Sequence, residues 1–307
     1  MGGKHSEPKP PPSAPAPLPE LNTHWRPVNW REKEEILKEV RDLKTKVEPL
    51  RILLHGPAGA GKSCFINSVQ RALLGRNVIS ALENSADVGQ SFTLSIKTHK
   101  MKKHGGGHYP FVFSDIMGLE AENGGIQIED ISKVLSGHIL DGYTFNPRGT
   151  ITDTDLKYKK CPKICDEVHC LVSILSADAI TRLHESVIEK MRTIRQKAVE
   201  MKIPHVIVLT KVDKACEIVN KDLKKLYYSR KIKQKVEESS HKLGIPLNNI
   251  YPVKNYHAEI TGDTNVDVVI LMALRDIVNF ANDYVEDVYE SKVEQGTCRL
   301  KENYRDF

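Results

Sequence analysis

An apolar run, Leu50-Arg-Ile-Leu-Leu-His55, breaks into Gly56-Pro-Ala-Gly-Ala-Gly61-Lys62-Ser63 and then into a helical pattern that begins Cys64-Phe-Ile-Asn. No other stretch constrains the fold as much. The spacing of Gly56, Gly61, Lys62 and Ser63 fits G-x-x-x-x-G-K-[ST], and each residue type has a physical reason to be there. Gly56, Gly59 and Gly61 tolerate positive φ, so the backbone can curl and aim its N–H groups inward as an anion cradle. A helix starting near Gly61 adds unsatisfied N–H groups and the positive end of its dipole. Lys62 supplies a point charge for β and γ phosphates, and the Ser63 hydroxyl can join the coordination of Mg²⁺. The expected phosphate-binding set is therefore Gly56, Pro57, Ala58, Gly59, Ala60, Gly61, Lys62 and Ser63, with Cys64 in the first turn of the helix.

A strand feeding a phosphate loop and a helix belongs in a layered α/β sheet, and the rest of the chain supplies one. The helix after the loop ends at Gly75. Residues 92 to 103 and 109 to 115 read as two strands around the Gly105-Gly-Gly107 turn, and a helix follows over 128 to 140. Residues 141 to 165 have little period and form the longest irregular insertion. Strands at 168 to 175, 205 to 210 and 250 to 253 then alternate with helices over 179 to 202, 219 to 243 and 266 to 289. Such alternation predicts a doubly wound, mostly parallel sheet with helices on both faces.

The 307 residues carry a formal net charge of +5, with lysines scattered among acids, which argues against a nucleic-acid surface. No apolar run approaches the roughly 20 residues that span a bilayer. Six cysteines without an apolar leader read as cytosolic thiols. The group Cys161, Cys165, His169 and Cys170 lacks the usual metal-knuckle spacing and reads as core or loop residues. Residues 1 to 24 hold seven of the sixteen prolines and no apolar period, so they read as a disordered or polyproline arm. The expected division is this arm, a helical extension over 25 to 47 with apolar Ile36, Leu37, Val40 and Leu43, a domain over 48 to 290, and a polar tail over 291 to 307.

A phosphate loop does not choose a base, so the base must be read elsewhere, and two strand ends offer the means. At the first, Phe111-Val-Phe-Ser-Asp115-Ile-Met-Gly118, Asp115 can hold Mg²⁺ through water and the Gly118 N–H can face a γ-phosphate. At the second, Val206-Ile-Val-Leu-Thr210-Lys211-Val212-Asp213, the Asp213 carboxylate can accept both the N1–H and the exocyclic amine of guanine, a donor pair that adenine lacks. Lys211 can lie along the base plane.

Taken in order, G-P-A-G-A-G-K-S, D-I-M-G and T-K-V-D resemble the first, third and fourth motifs of the Ras-like, translation-factor-related GTPase superfamily. Asn255 fits the less specific fifth motif, where a backbone N–H meets the guanine oxygen. More narrowly, the loop, Ser91-Phe-Thr, Ser114-Asp-Ile-Met-Gly-Leu, Asp166-Glu-Val-His-Cys and Tyr251-Pro-Val-Lys-Asn-Tyr resemble the vertebrate interferon-induced protein 44-like family over residues 25 to 290. The resemblance implies a GTPase-like G domain, GTP or GDP with Mg²⁺ as ligands, and interferon-linked innate immune function in the cytoplasm. It implies a second motif too, a threonine that ligates Mg²⁺ and meets the γ-phosphate. Thr93 suits that place better than Thr98, which falls inside a predicted strand, so Ser63, Thr93 and Asp115 form the expected metal set.

One departure bears on mechanism. Ras-like hydrolases follow D-x-x-G with a glutamine that orients the attacking water, and here Leu119 follows. Leucine cannot hydrogen-bond water. Hydrolysis is therefore expected to be slow or dependent on a partner, with Arg148 of the insertion read as a solvated arginine and no catalytic residue assigned. Nucleotide is expected to gate self-association or a protein partner, or else only to stabilise a scaffold. The start Met1-Gly2-Gly3-Lys4-His5-Ser6 fits the M-G-x-x-x-[ST] acylation pattern, the one expected route to peripheral membrane contact. If Gly2 is acylated, Gly2→Ala lowers the intact mass by one acyl chain and removes the protein from the membrane fraction.

Overall fold

The computed structural model describes residues 19–78, 81, 95–116, 118–121 and 126–302, with side chains as far as Ser291. Gly2, the proline-rich residues 8–17 and the segment 91–94 with Thr93 lie outside the described residues.

Six strands form one sheet in the order β2-β3-β1-β4-β5-β6. They are β1 Leu50–His55, β2 Lys97–Lys102, β3 His108–Asp115, β4 Cys170–Ser176, β5 His205–Thr210 and β6 Ile250–Pro252. All neighbours are parallel except β2 on β3 at the edge. The central strands β4 and β5 are buried at every position, as a parallel sheet covered on both faces requires. The helices α1 Lys33–Asp42, α2 Lys62–Leu74 and α8 Thr264–Glu302 pack together on one face. On the other lie α3 Ile128–Leu135, α4 Glu185–Glu200 and α7 Arg230–Leu243. This is the doubly wound α/β architecture of a P-loop GTPase-like fold.

Element limits move where a polar side chain captures the backbone. After the short α5 Val212–Ala215, the helix expected over 219 to 243 is broken into α6 Glu217–Lys221, a 3-10 turn at Leu223–Lys225 and α7. Asp222 accepts from Lys224 N and Ser229 accepts from Ile232 N, so each starts a new turn instead of continuing the old one. His184 similarly caps α4 through Ser186 N, which delays a helix expected from 179. In α3 the helix ends at Leu135 rather than 140. At the other extreme α8 runs on to Glu302, past the expected end at 289 and into the expected tail. The chain is also docked earlier than residue 25. Leu21 N donates to Tyr228 O at 2.8 Å and Arg230 N to Pro19 O at 3.2 Å. Downstream of that contact, Ile36, Leu37 and Val40 of α1 are buried against the body.

Directly beneath the glycine loop the sheet buries a polar trio. Ser173 Oγ lies 2.7 Å from His55 Nε2 and 2.8 Å from His205 Nε2. One hydroxyl has a single hydrogen, so it donates to one ring and accepts from the other, which fixes unlike tautomers in the pair. Both Nδ1 atoms are buried without a hydrogen-bond partner. Burial therefore pushes His55 down to about 3 and His205 well below its ordinary range. Across the sheet His169, which takes Arg51 N at 2.9 Å and meets Ile164 O at 2.8 Å, is pushed down to about 4 by burial.

Two outcomes follow for stability. Ser173→Ala leaves both Nε2 atoms without partners and is expected to cost about 2 kcal/mol in urea unfolding. A histidine whose folded pKa is lowered contributes stability that is full above the unfolded value of 6.5 and is lost as pH falls toward the folded value. Unfolding free energy is thus expected to fall below pH 6.5 by up to about 1.4 kcal/mol per pH unit for each of the three histidines. Chemical denaturation at pH 7, 6, 5 and 4 measures it.

Candidate functional site

The loop between β1 and α2 is a turn that only small residues can build. Gly56, Gly59 and Gly61 have φ of +146°, +71° and +96°. A Cβ on Gly56 would lie 2.2 Å from the Ile174 carbonyl oxygen of β4, so the loop backbone rests directly on the sheet. Gly61 ends the turn in left-handed conformation, and Phe65 N donates back to its carbonyl at 2.9 Å to start α2. Lys62 is folded over the loop, with Nζ donating to Gly56 O at 3.1 Å and Pro57 O at 3.3 Å. Burial lowers its pKa and Asp115 opposes the shift.

Asp115, the last residue of β3, reaches the same place from the neighbouring strand. Ser63 Oγ donates to Asp115 Oδ2 at 2.9 Å, while Asp115 Oδ1 is buried and has no hydrogen-bond partner. Burial raises the Asp115 pKa, with Lys62 and the Ser63 hydroxyl pulling the other way. A hydroxyl and a carboxylate side by side, one oxygen unspent, make a donor set suited to a hard cation such as Mg²⁺.

The ends of β5 and β6 approach the loop from its other side and grip three successive carbonyls. Lys211 Nζ donates to Gly59 O at 2.8 Å, Thr210 Oγ1 to Ala60 O at 2.6 Å and Asn255 Nδ2 to Gly61 O at 3.2 Å. Thr210 Oγ1 also meets Leu175 O at 3.1 Å, so its one hydrogen is shared between carbonyls. Lys211 holds a left-handed φ of +56° at the start of α5. Asp213 follows on that turn, half-buried, with no ion pair or hydrogen bond among the described residues. Asn255 touches the loop through its side-chain amide, a contact separate from the backbone N–H expected on the guanine oxygen.

Gly118 and Leu119 lie against the loop itself. A Cβ on Gly118 would come within 2.7 Å of Ala58 Cα, and Leu119 N donates to Gly56 O at 3.0 Å as part of a bridge with Pro57. Leu119 is 2 % exposed, its side chain in the core. Thr98, the weaker second-motif choice, sits within β2 with Oγ1 3.5 Å from Ser114 Oγ. Arg148 is exposed on its turn. Sequence reasoning missed Ser186 and Lys190 on α4, which donate to Ala121 O at 3.0 Å and Glu120 O at 2.8 Å and so hold the chain beyond Leu119. Their i, i+4 spacing is common on helices and gave no signal.

No protein-family model matches the chain. It is similar to interferon-induced protein 44 of Homo sapiens, 36% identical over 245 residues, covering 79% of the chain and 54% of that protein. The Pan troglodytes protein of the same name matches at 36% over 245 residues, with the same coverage. Human interferon-induced protein 44-like is 32% identical over 261 residues, covering 83% of the chain and 57% of that protein. The chain thus spans a little over half the length of these curated relatives.

Because the Gly56 site has neither the room nor the φ for a side chain, Gly56→Ala is expected to destabilise by about 3 kcal/mol or more, read from the urea midpoint. Gly59→Ala has nothing within 4 Å of its Cβ and is expected to cost about 1 kcal/mol, from φ alone.

Proposed function

The chain belongs to the interferon-induced protein 44 family, and from that premise we propose that it is a guanine-nucleotide-binding protein of the interferon-induced innate immune type that takes GTP and GDP with Mg²⁺. The pair of Ser63 and Asp115 carries the reading. The two meet at 2.9 Å beside the glycine loop, and Asp115 keeps a second oxygen buried without a partner. A buried carboxylate oxygen without a partner costs free energy that a divalent cation offsets.

In this reading Ser63 ligates Mg²⁺, Asp115 holds it through water, and Thr93 completes the set. Lys62, Gly118 N–H and the N–H groups of residues 58–64 take the phosphates. Asp213 accepts from guanine N1–H and the exocyclic amine, Lys211 lies along the base, and the Asn255 backbone N–H meets the guanine oxygen. The carboxylate's lack of a competing partner and the grip of Lys211, Thr210 and Asn255 on the loop support this assignment. Nucleotide state would then gate self-association or a protein partner in the cytoplasm, with membrane contact only through an acylated Gly2. Among the described residues no helix is long and apolar enough to cross a membrane.

Hydrolysis is proposed to be slow or partner-dependent, and the burial of Leu119 also favours a second reading in which nucleotide stabilises a scaffold and is not turned over. An arginine supplied in trans is worth about 10³ to 10⁵ in rate, so turnover that climbs with protein concentration or partner supports the first reading. Flat phosphate release at buffer level at every concentration supports the second.

Guanine nucleotide is expected to copurify with the protein, identified by chromatography after acid release. Asp213→Asn is expected to weaken GDP by at least ~100-fold while gaining xanthosine diphosphate, because an amide offers a donor where the carboxylate offered only acceptors. Equal ATP and GTP affinity in calorimetry would overturn the role given to Asp213. Leu119→Gln buries an unpartnered amide in the core, so it is expected to cost about 2 kcal/mol of stability and bring no gain in phosphate release.

A further inference from the structure

The insertion between α3 and β4 is bonded at two separate places, to residues 95–98 and to residues 127–133 at α3. Its neck is closed by Leu140 N on Lys157 O at 3.0 Å, Lys159 N on His138 O at 2.7 Å, and the His138 ring stacked on Tyr158 at 5.1 Å. From that neck Asp141–Thr144 runs antiparallel to Ser95–Thr98, the chain that follows the Thr93 segment. Gly142 N donates to Ile96 O at 2.9 Å, Ile96 N to Tyr143 O at 3.0 Å, and Thr98 N to Asp141 Oδ1 at 2.6 Å. Ser95 and Thr144 extend the pairing by one bridge.

A few residues later the same segment lies on α3, the first helix after Asp115-x-x-Gly118. Gln127 Nε2 donates to Pro147 O at 2.5 Å, Ile151 N to Asp130 Oδ1 at 2.9 Å, and Lys133 Nζ to Ile151 O at 2.5 Å. Ile151 is thus gripped through both its N–H and its carbonyl. Asp130, which holds it, is fully buried, and Tyr143, Phe145 and Ile151 bury their side chains in the common core. Backbone satisfied at both ends and apolar side chains between make this segment a stiff link rather than a loose loop.

We propose that residues 141–151 act as a strap that couples residues 95–98 to α3, so that the two segments loosen and order together. The strap rests on the proposed nucleotide function only for its use; the coupling itself is a property of the ligand-free protein. When a nucleotide orders either segment, the strap carries the ordering to the other and to the surface of the insertion, where a partner can read it.

Amide hydrogen exchange on the full chain tests it. Gln127→Ala with Lys133→Met removes two of the three bonds at the α3 end and leaves Asp130 on Ile151 N, without touching the core or the nucleotide residues. The expected result is that Ile96 and Thr98 amides, which those side chains do not contact, exchange about tenfold faster along with Ile151, within the usual range for coupled residues, while β4 and β5 amides stay as they were. Asp141→Ala, which removes the side-chain bond to Thr98 N at the other end, is expected to speed Ile151 reciprocally. If only the amides beside each substitution change, if none changes, or if the core strands loosen equally, the strap is overturned. Adding GDP with Mg²⁺ separates the two claims. Protection of 56–63 that spreads to 95–98, 128–134 and 141–151 in the wild type, but not as one unit in the double variant, supports both. Wild-type protection confined to the loop overturns the strap and keeps the binding. Absence of any protection overturns the binding, and the ligand-free exchange still decides the strap.

Discussion

The carbonyl of Ile174 occupies the place where a side chain on Gly56 would be, and much of the molecule depends on that contact. It seats the loop backbone on β4 with no intervening atoms, so the N-terminus of α2 is aimed over the carboxyl ends of the parallel strands. Three strand ends can then reach the loop at once: Asp115 from β3 touches Ser63, while Thr210 and Asn255, from β5 and just beyond β6, hold Ala60 and Gly61. The loop is preorganised by its neighbours' side chains, and an ordered cradle loses less entropy when a ligand arrives.

The same closeness sets the character of the site. Gly118 packs on Ala58 and Leu119 pairs with the Gly56 carbonyl, so the turn after β3 is bonded to the loop instead of standing off from it. Leu119 contributes its side chain to the core, not to the space above the loop. Lys62 and Asp115 are both buried and close enough to bias each other's protonation in opposite senses, each favouring the other's charged form. Burial is the larger influence on each and works against either charge.

Much of the architecture was legible before any coordinates. The strands β1, β3, β4 and β5 are mostly apolar runs, and the glycine loop between β1 and α2 has only one sensible neighbour on each side. Asp115, Thr210 and Lys211 fell where strand ends bring them to the loop. Helix limits were less legible, because Asp222, Ser229 and His184 win backbone N–H groups locally, and the period of the flanking residues does not record it. Ser186, Lys190 and the bonds of residues 141–151 left no trace in sequence, since each joins segments tens of residues apart through ordinary side chains or bare backbone.

The sequence by itself determined the glycine turn, the sheet type and the residue chemistry of the site: which positions carry a lysine, a hydroxyl, a carboxylate or a leucine. Those follow from φ freedom, apolar periodicity and functional groups, all local properties. Tertiary structure alone decided that the Asn255 side chain meets the loop, that Leu119 faces inward, that Asp115 retains an unspent oxygen, and that the insertion ties two distant segments together. Each of these depends on where another strand or helix lies, and burial, unlike residue type, is a property of the neighbours.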